Sequence, residues 1–248
     1  MHFKIIIAAY NVEQWIKHNI KQIKKQTHKD FQCIIVDDIS TDNTVAAIQE
    51  EIQGDLRFVL LINEEKKYAL QNIYEAIRHS SPADEDIIVT VDGDDWLFSD
   101  NSLEVVADHY RRNDIMLTYG SYVHYPDGRL STLHKYPQQV VEQNAFREYS
   151  WLATHLRTFK YKLWKNIEKE DLLQEDGKFY RMTWDLAFMF PMLEMCGGKF
   201  EFINEPLYVY NIANPINDNK VNASLQLSLE KKIRSKRKYS ERILLRAS

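Results

Sequence analysis

Residues 87–96 read Ile-Ile-Val-Thr-Val-Asp-Gly-Asp-Asp-Trp. Five consecutive β-branched residues without polar alternation describe a strand buried on both faces. Such a strand belongs in a sheet covered by helices. Its end delivers Asp92, Asp94 and Asp95 to one sheet edge. Crowded carboxylates make one another harder to ionise. A hard divalent cation removes that cost, and Mg²⁺ is usually held by one or two carboxylates plus substrate phosphates. The stretch therefore predicts a metal–diphosphate site.

The rest of the first half supports such a sheet. Apolar runs predict strands at residues 3–9, 31–36 and 58–62, separated by helical spacing at residues 12–26 and 68–78. Ser40, Thr41 and Asp42 offer N-cap chemistry for a helix carrying Val45, Ala46 and Ile48. Strands alternating with helices argue for a mostly parallel α/β sheet with helices on both faces. Ligands bind such sheets at the carboxyl ends of the strands. Three of those ends are polar here: Tyr10-Asn11, Asp37-Asp38 and Asp92 to Asp95.

The second half is less regular. A helix is expected at 102–112, a strand at 115–122, a turn at Pro126-Asp127-Gly128 and a variable loop over 129–150. A strand from 151 should feed a helix near Leu163. Residues 184–195 are apolar nearly all round and predict a buried helix, stopped by Gly197-Gly198. Short strands at 200–203 and 207–211 flank Pro206. From residue 223 the chain is basic, with Lys231, Lys232, Arg234, Lys236, Arg237, Lys238 and Arg242 beside an apolar stripe of Leu225, Leu229, Ile233 and Leu244 or Leu245. Such a helix suits packing on the domain, a dimer or partner contact, or an anionic membrane surface.

The net charge of -4 argues against a general nucleic-acid binder. Cys33 and Cys196 lie apart in apolar surroundings and read as buried hydrophobes, not a disulfide. The N-terminus runs straight into a strand, and no run reaches the ~18 apolar residues of a membrane span. A cytoplasmic protein is the expectation, with the tail as its route to a membrane.

The acidic loop has other readings. An EF-hand would need its third ligand and glycine where Trp96 and Leu97 stand. A phosphatase-type site would make Asp92 a nucleophile and leave Asp37-Asp38 unexplained. A plain acidic turn would cap the following helix. A dinucleotide fold would need glycines where Ala8-Ala9-Tyr10-Asn11-Val12 follows strand one.

Taken in order, IIIAAYN, VDDISTDNT and VTVDGDDW resemble the inverting glycosyltransferases of family 2, which have the GT-A fold. Gln26-Thr27, Asn63, Asn72, HLRTFK from His155, RMTWDLAF around Asp185 and YNIANPINDNKV from Tyr210 agree with that resemblance. It covers the chain to about residue 221. It implies one domain over 1–222, with a nucleotide-sugar-binding half at 1–112 and an acceptor-side half at 113–222, followed by the tail at 223–248.

The resemblance also implies roles. Ala9, Tyr10, Asn11, Asp38 and Asn72 would hold the nucleoside of a UDP-sugar, Asp38 accepting the uracil imide hydrogen. Asp92 and Gly93 would lie near the ribose. Asp94 and Asp95 come first as ligands for Mn²⁺ or Mg²⁺, with His155 as a further metal or phosphate contact. Asp185 matches the base that takes the proton of a hydroxyl acceptor. Trp96, Arg157, Lys160, Tyr180, Trp184 and Lys220 are candidate donor, acceptor or phosphate contacts. Where the family often carries an arginine after strand three, this chain has Lys66 and Lys67. Two rival functions are a non-catalytic nucleotide-sugar-binding module and a nucleotidyltransferase. The first is disfavoured by Asp185, the second by the lack of a glycine-rich basic loop after strand one.

Overall fold

The computed structural model describes residues 1–215 and 223–240. Strands β1 (Phe3–Ala9), β2 (Phe31–Asp37), β3 (Phe58–Ile62) and β4 (Ile87–Asp92) are joined by helices α1 (Glu13–Lys25), α2 (Thr44–Ile52) and α3 (Tyr68–His79). These four strands pair in parallel in the order β3-β2-β1-β4. Ala9 aligns with Asp37, and Ala8 with Asp92, so the three polar ends meet at one edge.

The sheet then continues with β7 (Arg157–Lys160), β6 (Leu117–Tyr125), β8 (Phe200–Asn211) and the two-residue β5 (Trp96–Leu97). β7 runs antiparallel to both β4 and β6. The remaining helices are α4 (Ser102–Arg112), α5 (Gln138–Glu142), α6 (Tyr161–Trp164), α7 (Trp184–Met195) and α8 (Ala223–Ser235).

Each sheet face has its own core. Ile5 and Ile7 of β1 pack with Ile16 and Ile20 of α1 and Val106 of α4. Ile6 faces the other way, toward Leu70 and Ile73 of α3 and Phe188 and Met192 of α7. This is the two-faced burial that the uninterrupted β-branched runs demand.

Three departures from expectation stand out. The region 129–150 is not a variable loop throughout. It contributes Tyr136, Val140 and Phe146 to the core, where Tyr119 Oη accepts the Tyr136 N–H at 2.9 Å. β7 begins at Arg157 rather than Trp151. The two short strands around Pro206 are one strand, β8, whose register shifts against β6 at Gly120 and Ser121. A Cβ on Gly120 would stand 2.8 Å from the Ile203 carbonyl, so only glycine permits that approach. Helix α8 takes one of the three expected arrangements, packing on the domain by burying Leu229 and Ile233, while Leu225 of the expected stripe stays exposed. Arg242, Leu244 and Leu245 lie outside the described residues. Among the described residues no helix is long and apolar enough to cross a membrane.

Candidate active site

The loops after β1 and β2 cap each other's helices. Thr44 Oγ1 accepts the Val12 N–H at 2.8 Å and Asp42 accepts the Glu13 N–H at 3.1 Å, satisfying the start of α1. In return the Glu13 carboxylate accepts the Asn43 N–H at 3.0 Å at the start of α2. Asn11 Oδ1 accepts the Thr41 N–H at 2.8 Å. These bonds fix Tyr10 at the cleft rim, where the Lys66 ammonium lies over its ring. Asn11, Ile39, Tyr68 and Thr183 all adopt positive φ in or at the end of loops that lead into helices. Strain of that kind collects at functional sites.

Asp38 is buried and fully engaged. Oδ1 accepts from Lys67 N at 2.8 Å and Asn63 Nδ2 at 2.9 Å; Oδ2 accepts from Tyr68 N at 2.9 Å and faces Lys66 Nζ at 3.3 Å. Burial opposes its charge, but these donors override it and hold the carboxyl below its usual range. Asp38 thus caps α3 across space, not the helix next in sequence. Asn72 joins it through Asn63, whose Nδ2 also donates to Asn72 Oδ1 at 2.7 Å.

The carboxylate loop is held rigidly. Asn19 of α1 is buried and donates to the carbonyls of Asp92 (3.0 Å) and Asp95 (2.7 Å). Tyr208 Oη accepts the Asp92 N–H at 3.0 Å and donates to Asp95 at 2.8 Å. The Asn211 N–H reaches Asp95 at 2.7 Å, and Asn214 Nδ2 reaches Asp94 at 2.7 Å. Sequence reasoning missed Asn19, Tyr208, Asn211 and Asn214 as holders of the loop. The segment from Tyr210 carried a family resemblance but no role, and nothing around Asn19 separates it from a solvated helical asparagine.

Gly93 lies tight against β1: a Cβ there would stand 3.0 Å from the Ala8 carbonyl and 3.1 Å from Ala9 Cα, so the backbone would have to give by a few tenths of an ångström. Gly93→Ala is expected to cost roughly 1–3 kcal/mol, the range for overpacking, and to weaken divalent-cation binding. Thermal melts with and without Mn²⁺ read both effects.

Asp92, Asp95 and His155 bring one ligand atom each within 4.8 Å of one another. Burial and the adjacent Asp94 and Asp92 carboxylates push the Asp95 carboxyl well above its usual range. Burial, aided by Arg157, drives His155 well below the ordinary imidazole range, so its ring is neutral at pH 7. Nδ1 of that buried ring has no partner among the described residues. Two oxygens and one free imidazole nitrogen suit Mn²⁺ or Mg²⁺. The grouping differs from the expected order. Asp94, pushed up by burial, turns to Asn214, while Asp92 joins Asp95 and His155.

β7 and α7 also contribute to the cleft lining. Arg157 is buried, donates to Asp185 Oδ2 at 3.2 Å and lies 5.1 Å from the Trp184 ring centroid. Asp185 stands in the first turn of α7, where a helix favours a carboxylate. Asp92, Gly93, His155, Arg157, Trp184 and Asp185 all line one cleft of about 420 Å³.

Other predicted residues lie elsewhere. Lys160 pairs with Glu85 at 2.8 Å beside Ile87, at the far end of β4 from the acidic loop, because β7 is antiparallel to β4. Tyr180 is buried under Lys236 and outside the cleft lining, so it forms no platform with Trp184. Trp96 packs edge-on against His18 and Tyr125, also outside that lining. Lys220 lies outside the described residues. Lys67 is tied to Glu75 at 2.8 Å, leaving Lys66 as the lysine beside Asp38 and Tyr10.

The parallel strands β1 to β4, the mixed extension of β5 to β8 and the acidic strand end between them make up a GT-A arrangement. The model of glycosyl transferase family 2 matches residues 4–170, and the chain belongs to that family. Glycosyltransferase GlyG of Streptococcus pneumoniae is 26% identical over 83% of this chain and 69% of its own length. The Escherichia coli β-1,3-glucosyltransferase WfgD, which uses UDP-Glc on α-D-GlcNAc-diphosphoundecaprenol, is 34% identical over 48% of this chain, a match spanning 44% of that enzyme. Among solved structures, S. aureus TarS (residues 1–349) in complex with UDP-GlcNAc superposes with a TM-score of 0.61 at 16% identity, covering 86% of this chain and 59% of TarS. The mannosyltransferase PcManGT of Pyrobaculum calidifontis, solved with GDP-Man and Mn²⁺, gives 0.60 at 19% identity over 96% of this chain and 66% of its own.

Proposed function

We propose that the chain is a metal-dependent inverting glycosyltransferase that moves a sugar from a UDP-sugar to an acceptor hydroxyl. One observation carries this reading: Asp92 and His155 of the carboxylate–imidazole cluster and Asp185 line one and the same cleft. A cation and a base on opposite sides of a sugar are what inversion requires. WfgD is a UDP-glucose enzyme by name, and TarS holds UDP-GlcNAc, which supports uridine as the nucleoside.

Tyr10 and Ala9 would offer the base a stacking surface and backbone contacts, and Asp38 would accept its imide hydrogen. All four lone-pair directions of Asp38 are in use, and the Lys66 contact is the longest. The base would therefore displace Lys66 from both Asp38 and the Tyr10 face. Asp92, Asp95 and His155 would hold Mn²⁺ or Mg²⁺, with Asp94 beside them. When bound, the cation stabilises the negative charge that builds on the departing diphosphate. Asp185 takes the acceptor proton at its carboxylate, and Arg157 fixes the orientation of that carboxylate through Oδ2.

The test is a panel of nucleotide sugars with Mn²⁺, reading hydrolysis and thermal stabilisation. UDP-sugars should give both; a preference for GDP- or CMP-sugars would overturn the uracil assignment. The cation has its own pH signature. Metal ligands must be deprotonated, and the Asp95 carboxyl is raised. Mn²⁺ stabilisation should therefore shrink as pH falls through the raised Asp95 range. At one hundred times Kd it amounts to about 2.7 kcal/mol. EDTA reverses it, and Asp95→Asn abolishes it.

A further inference from the structure

We infer that the chain forms a closed two-fold dimer through the free edge of β3, two copies pairing antiparallel about Leu60. No residue of β3 lines the cleft, so the inference stands apart from the glycosyltransfer reading.

β3 ends the sheet and pairs only with β2 among the described residues. The Cys33 N–H donates to the Arg57 carbonyl at 2.8 Å, and the Asn63 N–H donates to the Asp37 carbonyl at 3.0 Å. Backbone groups alternate in direction along a strand. Residues 57, 59, 61 and 63 therefore turn theirs to β2, and residues 58, 60 and 62 turn theirs outward. The Phe58 N–H is taken by the Asp55 carbonyl at 3.1 Å. The N–H groups of Leu60 and Ile62 and the carbonyls of Phe58, Leu60 and Ile62 have no partner among the described residues. Sheet edges are commonly guarded by lysine, proline or a bulge. Phe58 to Ile62 reads Phe-Val-Leu-Leu-Ile and carries none of these. Ile62 is 53% exposed, and Leu56 just before the strand is 97% exposed.

The occupant this edge specifies is a second copy. Antiparallel pairing about Leu60 sets Leu60 against Leu60 and Phe58 against Ile62. The two Leu60 residues then exchange N–H and carbonyl, and each Ile62 N–H meets the Phe58 carbonyl of the other copy. Every free donor of the edge is used, and the Phe58 N–H, already turned to Asp55, is not needed. The same two-fold keeps equivalent sheet faces on one side. Phe58 and Leu60 pack on the face that carries Ile48 and Ile52 of α2, so the apolar side chains of both copies meet there. The charges at the two ends agree. Arg57 precedes the strand; its Nε and Nη2 bond Asp55, and Nη1 remains as a further donor. Glu64 and Glu65 follow the strand and are exposed. Antiparallel pairing brings Arg57 of each copy beside Glu64 of the other, whereas parallel pairing would set like charge against like. A two-fold contact consumes both β3 edges, so the assembly closes at two copies.

The test is sedimentation of the full chain over about 1–500 μM, where a small interface should give a reversible monomer–dimer equilibrium with a Kd of roughly 1–100 μM. Ile62→Lys puts a charge on the edge and should raise that Kd by roughly tenfold or more, with the fold retained. Leu56→Glu sets like charge beside Glu64 of the other copy at a position already exposed in the monomer, and it gives the same reading should Ile62→Lys fail to fold. Leu60→Cys fixes the register. A hydrogen-bonded antiparallel pair holds its Cα atoms about 5.5 Å apart, within disulfide reach, so mild oxidation should link two copies through residue 60. Cys33 and Cys196 are buried and give no background. A monomer across the whole concentration range would overturn the inference. So would a dimer that the folded variants leave intact, a dimer that Leu60→Cys does not cross-link, or assemblies larger than two.

Discussion

Replacing Asp185 by Asn should lower sugar transfer by about 10²–10⁴-fold, the usual contribution of a positioned general base, with UDP and Mn²⁺ binding unchanged. The substitution keeps the shape of the side chain and removes only its basicity. The amide oxygen of the new side chain could still accept from Arg157, which donates to Asp185 at 3.2 Å in the unaltered protein. The guanidinium also rests near the Trp184 ring at 5.1 Å, a contact the change does not touch. The variant should therefore fold and melt within a few degrees of the parent. A fall in kcat with the UDP-induced thermal shift retained is the expected pattern. Turnover equal to that of the parent would remove Asp185 from the base role and move the search to other acids of the cleft.

The part built from β1 to β4 was legible because its signals are local. A run such as Ile87 to Val91 fits few environments other than a covered strand, and β1 to β4 lie where the apolar runs placed them. Helix α7 was equally legible, since residues 184–195 have no polar face to expose. The part from β6 on was otherwise not, because its order comes from contacts distant in sequence. Tyr136 and Phe146 sit in a stretch without period and are fixed by Tyr119 and Phe200. Gln26 shows the same limit. It belongs to a family-like motif, yet its side chain accepts the Leu103 N–H at 3.0 Å and donates to the Ser99 carbonyl at 2.6 Å, tying α1 to the start of α4.

Within the site, residue types were readable and their grouping was not. An Asp-Gly-Asp-Asp string says that carboxylates crowd a strand end. Which of them turns toward His155 depends on Tyr208, Asn211 and Asn214, more than a hundred residues away. Lys160 failed for a directional reason. Its strand runs against β4, so three residues carry the chain from Arg157 at the cleft to the opposite end of the sheet.

The largest effect on stability is expected at Glu194. This side chain is buried in α7 and paired with the equally buried Arg147: Nη2 donates to Oε2 at 3.0 Å, and Nε donates to Oε1. Glu194→Ala would leave the Arg147 charge buried without its counterion, a change that costs about 3–5 kcal/mol. For a domain of this size that corresponds to roughly 2–4 °C of melting temperature per kcal/mol. The pair also anchors the end of the chain. Glu194 Oε2 accepts the Tyr239 N–H at 2.9 Å, Arg147 holds the Ile233 carbonyl at 2.6 Å, and Asn144 donates to the Tyr239 carbonyl at 2.9 Å. Loss of Glu194 should therefore loosen α8 before the rest of the domain, and limited proteolysis should cut first after residue 223. Replacing both partners by apolar residues, Arg147→Met with Glu194→Leu, should recover most of the melting temperature, because removing both charges removes the desolvation penalty. It should not restore the protease resistance of the tail, since the bonds to Ile233 and Tyr239 would still be missing. A melting temperature for Glu194→Ala within 2 °C of the parent would show that Arg147 finds water or another acceptor, and that the pair is not what fastens α8 to α7.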